Sequence, residues 1–114
     1  MKQFMMLFWQ EKKEQPQPSP EQMQAMLKQW QDWLGGIAAQ DKLLGSEALQ
    51  SNGKVIGEDR VITDGPYAEV KEIVSGFASV KAVDLDEATK MAEDCPMLNG
   101  SGWVEVREIQ VYDI

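Results

Sequence analysis

The segment Ile62-Thr-Asp-Gly-Pro-Tyr-Ala-Glu-Val-Lys-Glu-Ile-Val-Ser-Gly-Phe77 joins one apolar run to the next through a turn of specific composition. From its composition we expect the Asp64 side chain to hydrogen-bond its own backbone two residues on, while Gly65 permits a positive φ and Pro66 fixes its own φ. A loop constrained in this way predicts more than a connection between strands. We expect a pocket beside it, with Gly65, Pro66 and Tyr67 binding a ligand and Asp64 as the candidate catalytic group.

The chain before this segment predicts a strand followed by a helix. Residues 4–9 are apolar on both alternating faces, which is typical of a central strand covered on both sides. Two prolines in residues 10–19 indicate an extended loop. Ser19-Pro20-Glu21-Gln22 then has the composition of a helix N-terminus with a capping box, and apolar residues recur at three- and four-residue spacing to about Gln40.

Short strands are predicted on either side of the opening turn. Asn52-Gly53 is a strong hairpin-turn signal, with one short strand at Lys54–Gly57 and either another strand or its continuation at Arg60–Asp64. Residues 74–83 predict a long strand, whose small even-numbered residues suit a face covered by helices.

The C-terminal third predicts a second helix and a closing strand. Asp84-Leu85-Asp86-Glu87 has the pattern of a helix start, and the helix should end at Cys95-Pro96. Its inward residues should be Leu85, Ala88, Met91 and Ala92. Residues 103–114 then predict the closing strand.

The order of these elements predicts a single α+β domain over residues 1–114. Strand, helix, strands, helix, strand is the ferredoxin-like split βαβ arrangement, an antiparallel sheet with two helices on one face. The other face would carry apolar residues of the first strand and stay uncovered. A two-fold homodimer, packed sheet against sheet, is the simplest closed solution.

Composition excludes several classes of function. The chain of 114 residues has a single cysteine, Cys95, no histidine and a net charge of −8. It therefore has no internal disulfide, no histidine-dependent nucleophile system and no histidine-ligated metal site, and we expect neither a metal nor a cofactor. The negative net charge also argues against binding to nucleic acid or to an anionic membrane surface, because both require clustered basic residues. With no apolar run long enough to span a membrane and no leader pattern, a cytoplasmic protein is expected.

The opening segment resembles the signature of the DGPF branch of the YCII-related family. The match reads Thr63-Asp64-Gly65-Pro66-Tyr67-Ala68-Glu69 and continues through Lys71-Glu72 to Gly76-Phe77, with tyrosine in place of the usual phenylalanine. Further similarity lies in the Trp30-rich helix, the helix start at Asp84, Cys95-Pro96 and Val104-Glu105-Val106-Arg107. The resemblance implies a dimeric α+β barrel.

The family implies little about chemistry. Most DGPF proteins have no assigned activity and are often associated with extracytoplasmic-function sigma factors. Some YCII relatives look like small-molecule lyases or dehydrochlorinases, with a histidine–aspartate pair proposed as catalytic. Because this chain has no histidine, only the aspartate carries over, and whether the protein is an enzyme stays open.

The candidate site residues each have two interpretations. Asp64 is either a buried general base at the cleft mouth or an aspartate that caps its own turn, and the two roles are compatible. Glu105 and Arg107 are either a carboxylate and the guanidinium it holds for binding an organic anion, or a structural ion pair, or solvent-facing charges on an edge strand. Phe77, Ser79 and Lys81 line either a small-molecule pocket or a dimer interface. Cys95 is expected to be an inert structural thiol.

The sequence therefore predicts a cytoplasmic homodimer that binds a small organic molecule in the cleft beside the Asp64 loop. Its specific form is a weak lyase- or isomerase-like enzyme in which Asp64 acts as acid–base and Arg107 holds an anion. The alternative is a non-catalytic ligand-sensing or regulatory module that acts with a sigma factor. A third possibility is a structural dimer whose sheet faces bury each other completely.

Overall fold

A computed structural model of the protein describes residues 1–12, 16–66 and 70–113. The elements follow in the order β1 Lys2–Glu11, α1 Pro20–Ala39, β2 Leu43–Ala48, β3 Gly53–Ile56, β4 Ile62–Gly65, β5 Glu72–Ala82, α2 Leu85–Ala92, a 3₁₀ turn Pro96–Asn99, and β6 Gly102–Glu108. Within the described residues, four strands form one antiparallel sheet in the order β2-β5-β1-β6, and β3 pairs with β4 in a separate hairpin. This confirms the ferredoxin-like α+β fold, with β1 central as its two apolar faces predicted.

Both helices begin where the sequence predicts them. Ser19 caps α1 because its Oγ accepts from the Gln22 backbone N–H at 3.1 Å, while the Gln22 side chain accepts from the Ser19 N–H at 2.9 Å. Asp84 caps α2 by accepting from the Glu87 N–H at 2.9 Å. The prediction that α2 reaches Cys95-Pro96 was wrong, since the helix ends at Ala92, and Leu85 is half exposed instead of facing inward.

The hydrophobic core lies between the two helices and one face of the main sheet. Strand β1 contributes large side chains, β5 contributes small ones, and the helices cover both, so the small residues of β5 allow close approach as predicted. Trp33 of α1 reaches across the layer, and its indole N–H donates to the Met91 carbonyl at 2.9 Å. The buried residues are Phe4, Met6, Phe8, Trp33, Ile37, Ala78, Val80, Ala82, Ala88, Ala92 and Cys95.

The hairpin turn lies elsewhere than predicted. Strands β3 and β4 are joined through residues 57–61, where the Gly57 N–H donates to the Val61 carbonyl at 3.1 Å and Arg60 has φ 68°. The predicted Asn52-Gly53 turn was wrong because such a turn requires its flanking strands to pair with each other, whereas β2 pairs with β5. Tertiary pairing thus overrides the local turn signal.

Strand β6 is shorter than predicted. It ends at Glu108, not at the chain end, and Ile114 lies outside the described residues. The described part of the molecule is flat, with principal extents of 47 × 42 × 19 Å, as expected for one helical layer on one side of a sheet. None of its helices is both long enough and apolar enough to cross a bilayer.

Candidate functional site

No helix in the described part of the chain covers the second face of the main sheet, and we call this surface the open face. Its side chains alternate with the buried ones along each strand. In the ladder, Met5 of β1 lies between Ser79 and Arg107, and Leu7 lies between Phe77 and Glu105. The fold therefore brings four of the predicted site residues together on one surface, as the alternation in β5 and β6 suggested: Phe77, Ser79, Glu105 and Arg107.

A pair of tryptophans continues this face toward the end of β1 that precedes α1. Trp9 is opposite Trp103, and their rings are parallel within 3° with centroids 6.5 Å apart. The Trp9 indole N–H donates to Glu105 Oε1 at 3.0 Å, across the diagonal of the ladder. Among the described residues Glu105 therefore contacts Trp9 and forms no ion pair with Arg107, so the interpretation as a structural ion pair is not met in the single chain.

A β-bulge shapes the surface next to Trp9. Phe8 is opposite Gly76 but Trp9 is opposite Val74, so Ser75 is the extra residue, and its hydroxyl donates to the Phe8 carbonyl at 3.2 Å. The bulge turns Val74 onto the open face. The prediction that all even-numbered residues of this strand face the helices was therefore wrong at Val74.

The bulge borders a pocket of about 250 Å³ at this end of the open face. One wall is the sheet and the other is the chain on either side of the β3–β4 hairpin. The pocket is bordered by Trp9, Gln50, Ser51, Pro66, Glu72, Ile73 and Val74. Pro66 is thus the predicted loop residue that borders a pocket, whereas most of the remaining wall was missed by sequence reasoning. The bulge hides Val74 from a simple alternation rule, and Gln50 and Ser51 carry no distinctive sequence signal.

Lys12 connects the opening loop to the end of β1. Its ammonium group lies 3.4 Å from the Pro66 carbonyl oxygen, and its backbone N–H donates to the Lys71 carbonyl at 2.6 Å. These two contacts hold both sides of the loop against the sheet. Tyr67, which was predicted to bind a ligand, lies outside the described residues.

Asp64 lies on the hairpin and not in the pocket wall. It is opposite Lys54 and forms an ion pair with it, and its side chain is 89% exposed. The burial that the general-base interpretation of Asp64 requires is therefore absent in the single chain, because β3 and β4 form a hairpin separate from the main sheet. The predicted turn-capping bond to the backbone two residues on was wrong because that residue is Pro66, which has no N–H, and the Asp64 carboxylate accepts from the Lys54 ammonium across the hairpin instead. Gly65 is opposite Gly53 on the same hairpin.

Lys81 lies at the opposite end of the open face. It is opposite Gln3 on β1, six residues and roughly 20 Å along the strand from Trp9. Its ammonium lies 3.8 Å from the Asp41 carboxylate. The fold thus separates Lys81 from the Pro66 loop, although both were predicted to contact one ligand.

Cys95 belongs to the core and not to the site. It is 1% exposed, and burial raises the pKa of its thiol to about 11, partly opposed by a hydrogen bond with the Met97 backbone. A thiol with this pKa is protonated at neutral pH and is a poor nucleophile. The expectation of an inert thiol is confirmed. Among the described residues, no three side chains of Cys, Asp or Glu form a group that could hold a metal ion.

Comparison with known proteins gives a family but no activity. A family model described as the YCII-related domain matches residues 3–112, nearly the whole chain. An uncharacterized protein of Rhizobium meliloti (strain 1021) is 40% identical over 55 residues, which cover 47% of this chain and 44% of that protein. The matched segment thus spans less than half of the relative's length.

Proposed function

The chain belongs to the YCII-related family, and from that premise we propose that it acts as a homodimer that binds a small organic molecule between two open faces. The observation that supports this most directly is the pocket beside Pro66, because it combines an aromatic wall, a few polar groups and a constrained loop. Its volume of about 250 Å³ suits a small ligand, and a facing second chain would enclose it further. We place this dimer in the cytoplasm.

Arg107 supports the proposal that the ligand is an organic anion. Its side chain is exposed on the open face, and a guanidinium binds a carboxylate through two parallel hydrogen bonds. Arg107 is opposite Met5, and Trp9 is four residues further along β1, so the two side chains are separated by roughly 13 Å in the strand direction. A ligand that contacts both would therefore lie along the strands.

The enzymatic form of the proposal is a lyase- or isomerase-like reaction with Asp64 as the acid–base group. Asp64 is two residues before Pro66, which borders the pocket. Its carboxylate, however, forms an ion pair with Lys54. It would have to leave Lys54 to reach a ligand. The non-catalytic alternative, a ligand-sensing or regulatory dimer associated with a sigma factor, needs no such movement.

A ligand screen with a pocket-blocking variant tests the proposal. Small carboxylates and phenolic compounds should raise the melting temperature of the wild-type protein, and Ser51→Phe, which places a ring at the pocket wall, should abolish the shift. Asn52→Phe is the matched control because Asn52 is exposed but does not border the pocket, so its shift should match that of the wild type.

The same screen separates the two forms of the function. If Asp64→Asn removes turnover but not binding, the enzymatic form is supported. If binding is unchanged in Ser51→Phe, or if no compound shifts the wild-type protein, the proposed site is wrong. A dimer that stays intact without any ligand would then favour a purely structural role.

A further inference from the structure

Two charged side chains at opposite edges of the open face have no partner among the described residues of their own chain. Glu47 lies on edge strand β2, opposite Phe77, and Arg107 lies on edge strand β6, opposite Met5. Both are exposed, and neither makes an ion pair or a hydrogen bond in residues 1–12, 16–66 and 70–113. Half-buried apolar side chains separate them, so the face has an apolar centre with opposite free charges at its two edges.

Two-fold symmetry relates these edges. When two open faces pack together with the axis parallel to the strands, β2 of each protomer lies over β6 of its partner. Glu47 and Arg107 then lie on facing strands, and their positions along the strand direction differ by two residues, or ~7 Å. An arginine side chain can span this distance. The arrangement forms the same contact twice.

We propose that Glu47 of each protomer pairs with Arg107 of the partner subunit in a dimer whose axis runs parallel to the strands. This inference rests on the proposed function, because it supplies from a second chain the carboxylate that Arg107 lacks among the described residues of its own. A bidentate carboxylate uses only part of the five guanidinium donors, so the remaining donors stay available to an organic anion. The anion-binding part of the site is then complete only in the dimer.

An axis perpendicular to the strands gives a different contact. It places β6 over β6, and Arg107 then reaches Glu105 of the partner subunit. That carboxylate already accepts the Trp9 indole N–H at 3.0 Å, whereas the Glu47 carboxylate has no partner in the part of the chain that the structure describes. The free charges therefore favour the parallel axis.

Charge reversal distinguishes the two arrangements. Glu47→Arg and Arg107→Glu should each weaken the wild-type dimer about tenfold or more, measured as the dissociation constant by sedimentation equilibrium, because each places like charges face to face. The double variant should recover to within about threefold of the wild type. An equimolar mixture of the two single variants should form heterodimers, since both contacts then carry opposite charges.

Three results would overturn the inference: a wild-type protein that stays monomeric, single variants whose dimers are as stable as the wild type, or rescue of Arg107→Glu by Glu105→Arg instead of Glu47→Arg. Circular dichroism of each variant checks that it folds, and Glu47→Gln with Arg107→Gln gives milder substitutions at the same positions. If the reversal pattern holds but no carboxylate binds the wild-type dimer, the pairing stands and the ligand proposal fails. If carboxylates bind while the reversal pattern is absent, the pairing fails and the ligand proposal stands.

Discussion

Two glycine-to-alanine substitutions should change the free energy of unfolding in opposite directions, because the two glycines have different surroundings. A Cβ on Gly76 would lie 2.7 Å from the Glu47 carbonyl oxygen, which is backbone and cannot move aside, whereas a Cβ on Gly35 would meet nothing within 4 Å. Gly76→Ala should lower the free energy of unfolding by about 1–3 kcal/mol. Gly35→Ala in the interior of α1 should raise it by up to about 1 kcal/mol. Urea denaturation measures both, and a stable Gly76→Ala protein would contradict the close approach of β2 and β5.

The buried thiol of Cys95 predicts a pH dependence of stability. Its pKa rises from 9.0 to about 11 on folding because burial disfavours the thiolate. Above pH 9 the unfolded chain therefore releases this proton before the folded one does, and the free energy of unfolding falls by up to about 1.4 kcal/mol per pH unit between pH 9 and 11. Cys95→Ala should lose this part of the slope when urea midpoints are compared across that range. An unchanged slope in the variant would show that other groups account for it.

At the scale of elements, the cap of α2 can be tested separately from its packing. Asp84 accepts the Glu87 N–H at 2.9 Å, and an asparagine oxygen can accept the same bond. Asp84→Ala should therefore cost about 0.5–2 kcal/mol of unfolding free energy, while Asp84→Asn should cost much less. Chemical denaturation of the two variants measures the difference. Equal losses in both would mean that the charge of Asp84, and not its hydrogen bond, stabilises the helix.

The elements also show which part of the structure the sequence predicts. The Ser19 and Asp84 caps were predicted because their partners lie three residues away in the chain. The turn at residues 57–61 and the bulge at Ser75 were missed because each depends on which strand pairs with which. The candidate site follows the same division. Residues that alternate along β5 and β6 were predicted to share a face and do. The exposure of Asp64 in the single chain could not be predicted, because no local pattern shows that its hairpin is separate from the main sheet.

For the whole molecule, the open face is the surface that the proposed dimer must bury. Leu7 lies at its centre, half-buried between Phe77 and Glu105. Leu7→Asp would place an unpaired charge in an interface from which water is excluded. The dissociation constant of the dimer should therefore increase by about a hundredfold or more. Leu98→Asp is the matched control, because Leu98 is 46% exposed in the 3₁₀ turn and lies away from this face.

Sedimentation equilibrium at several protein concentrations measures this difference. Leu7 points away from the core formed by Phe4, Met6 and Phe8, so the folded monomer should persist in Leu7→Asp, with the circular dichroism spectrum of the wild type. Loss of the dimer in Leu98→Asp but not in Leu7→Asp would assign the interface to the helical side instead. In that case the open face would be free in solution, and the pocket beside Pro66 would have to bind its ligand without a second chain.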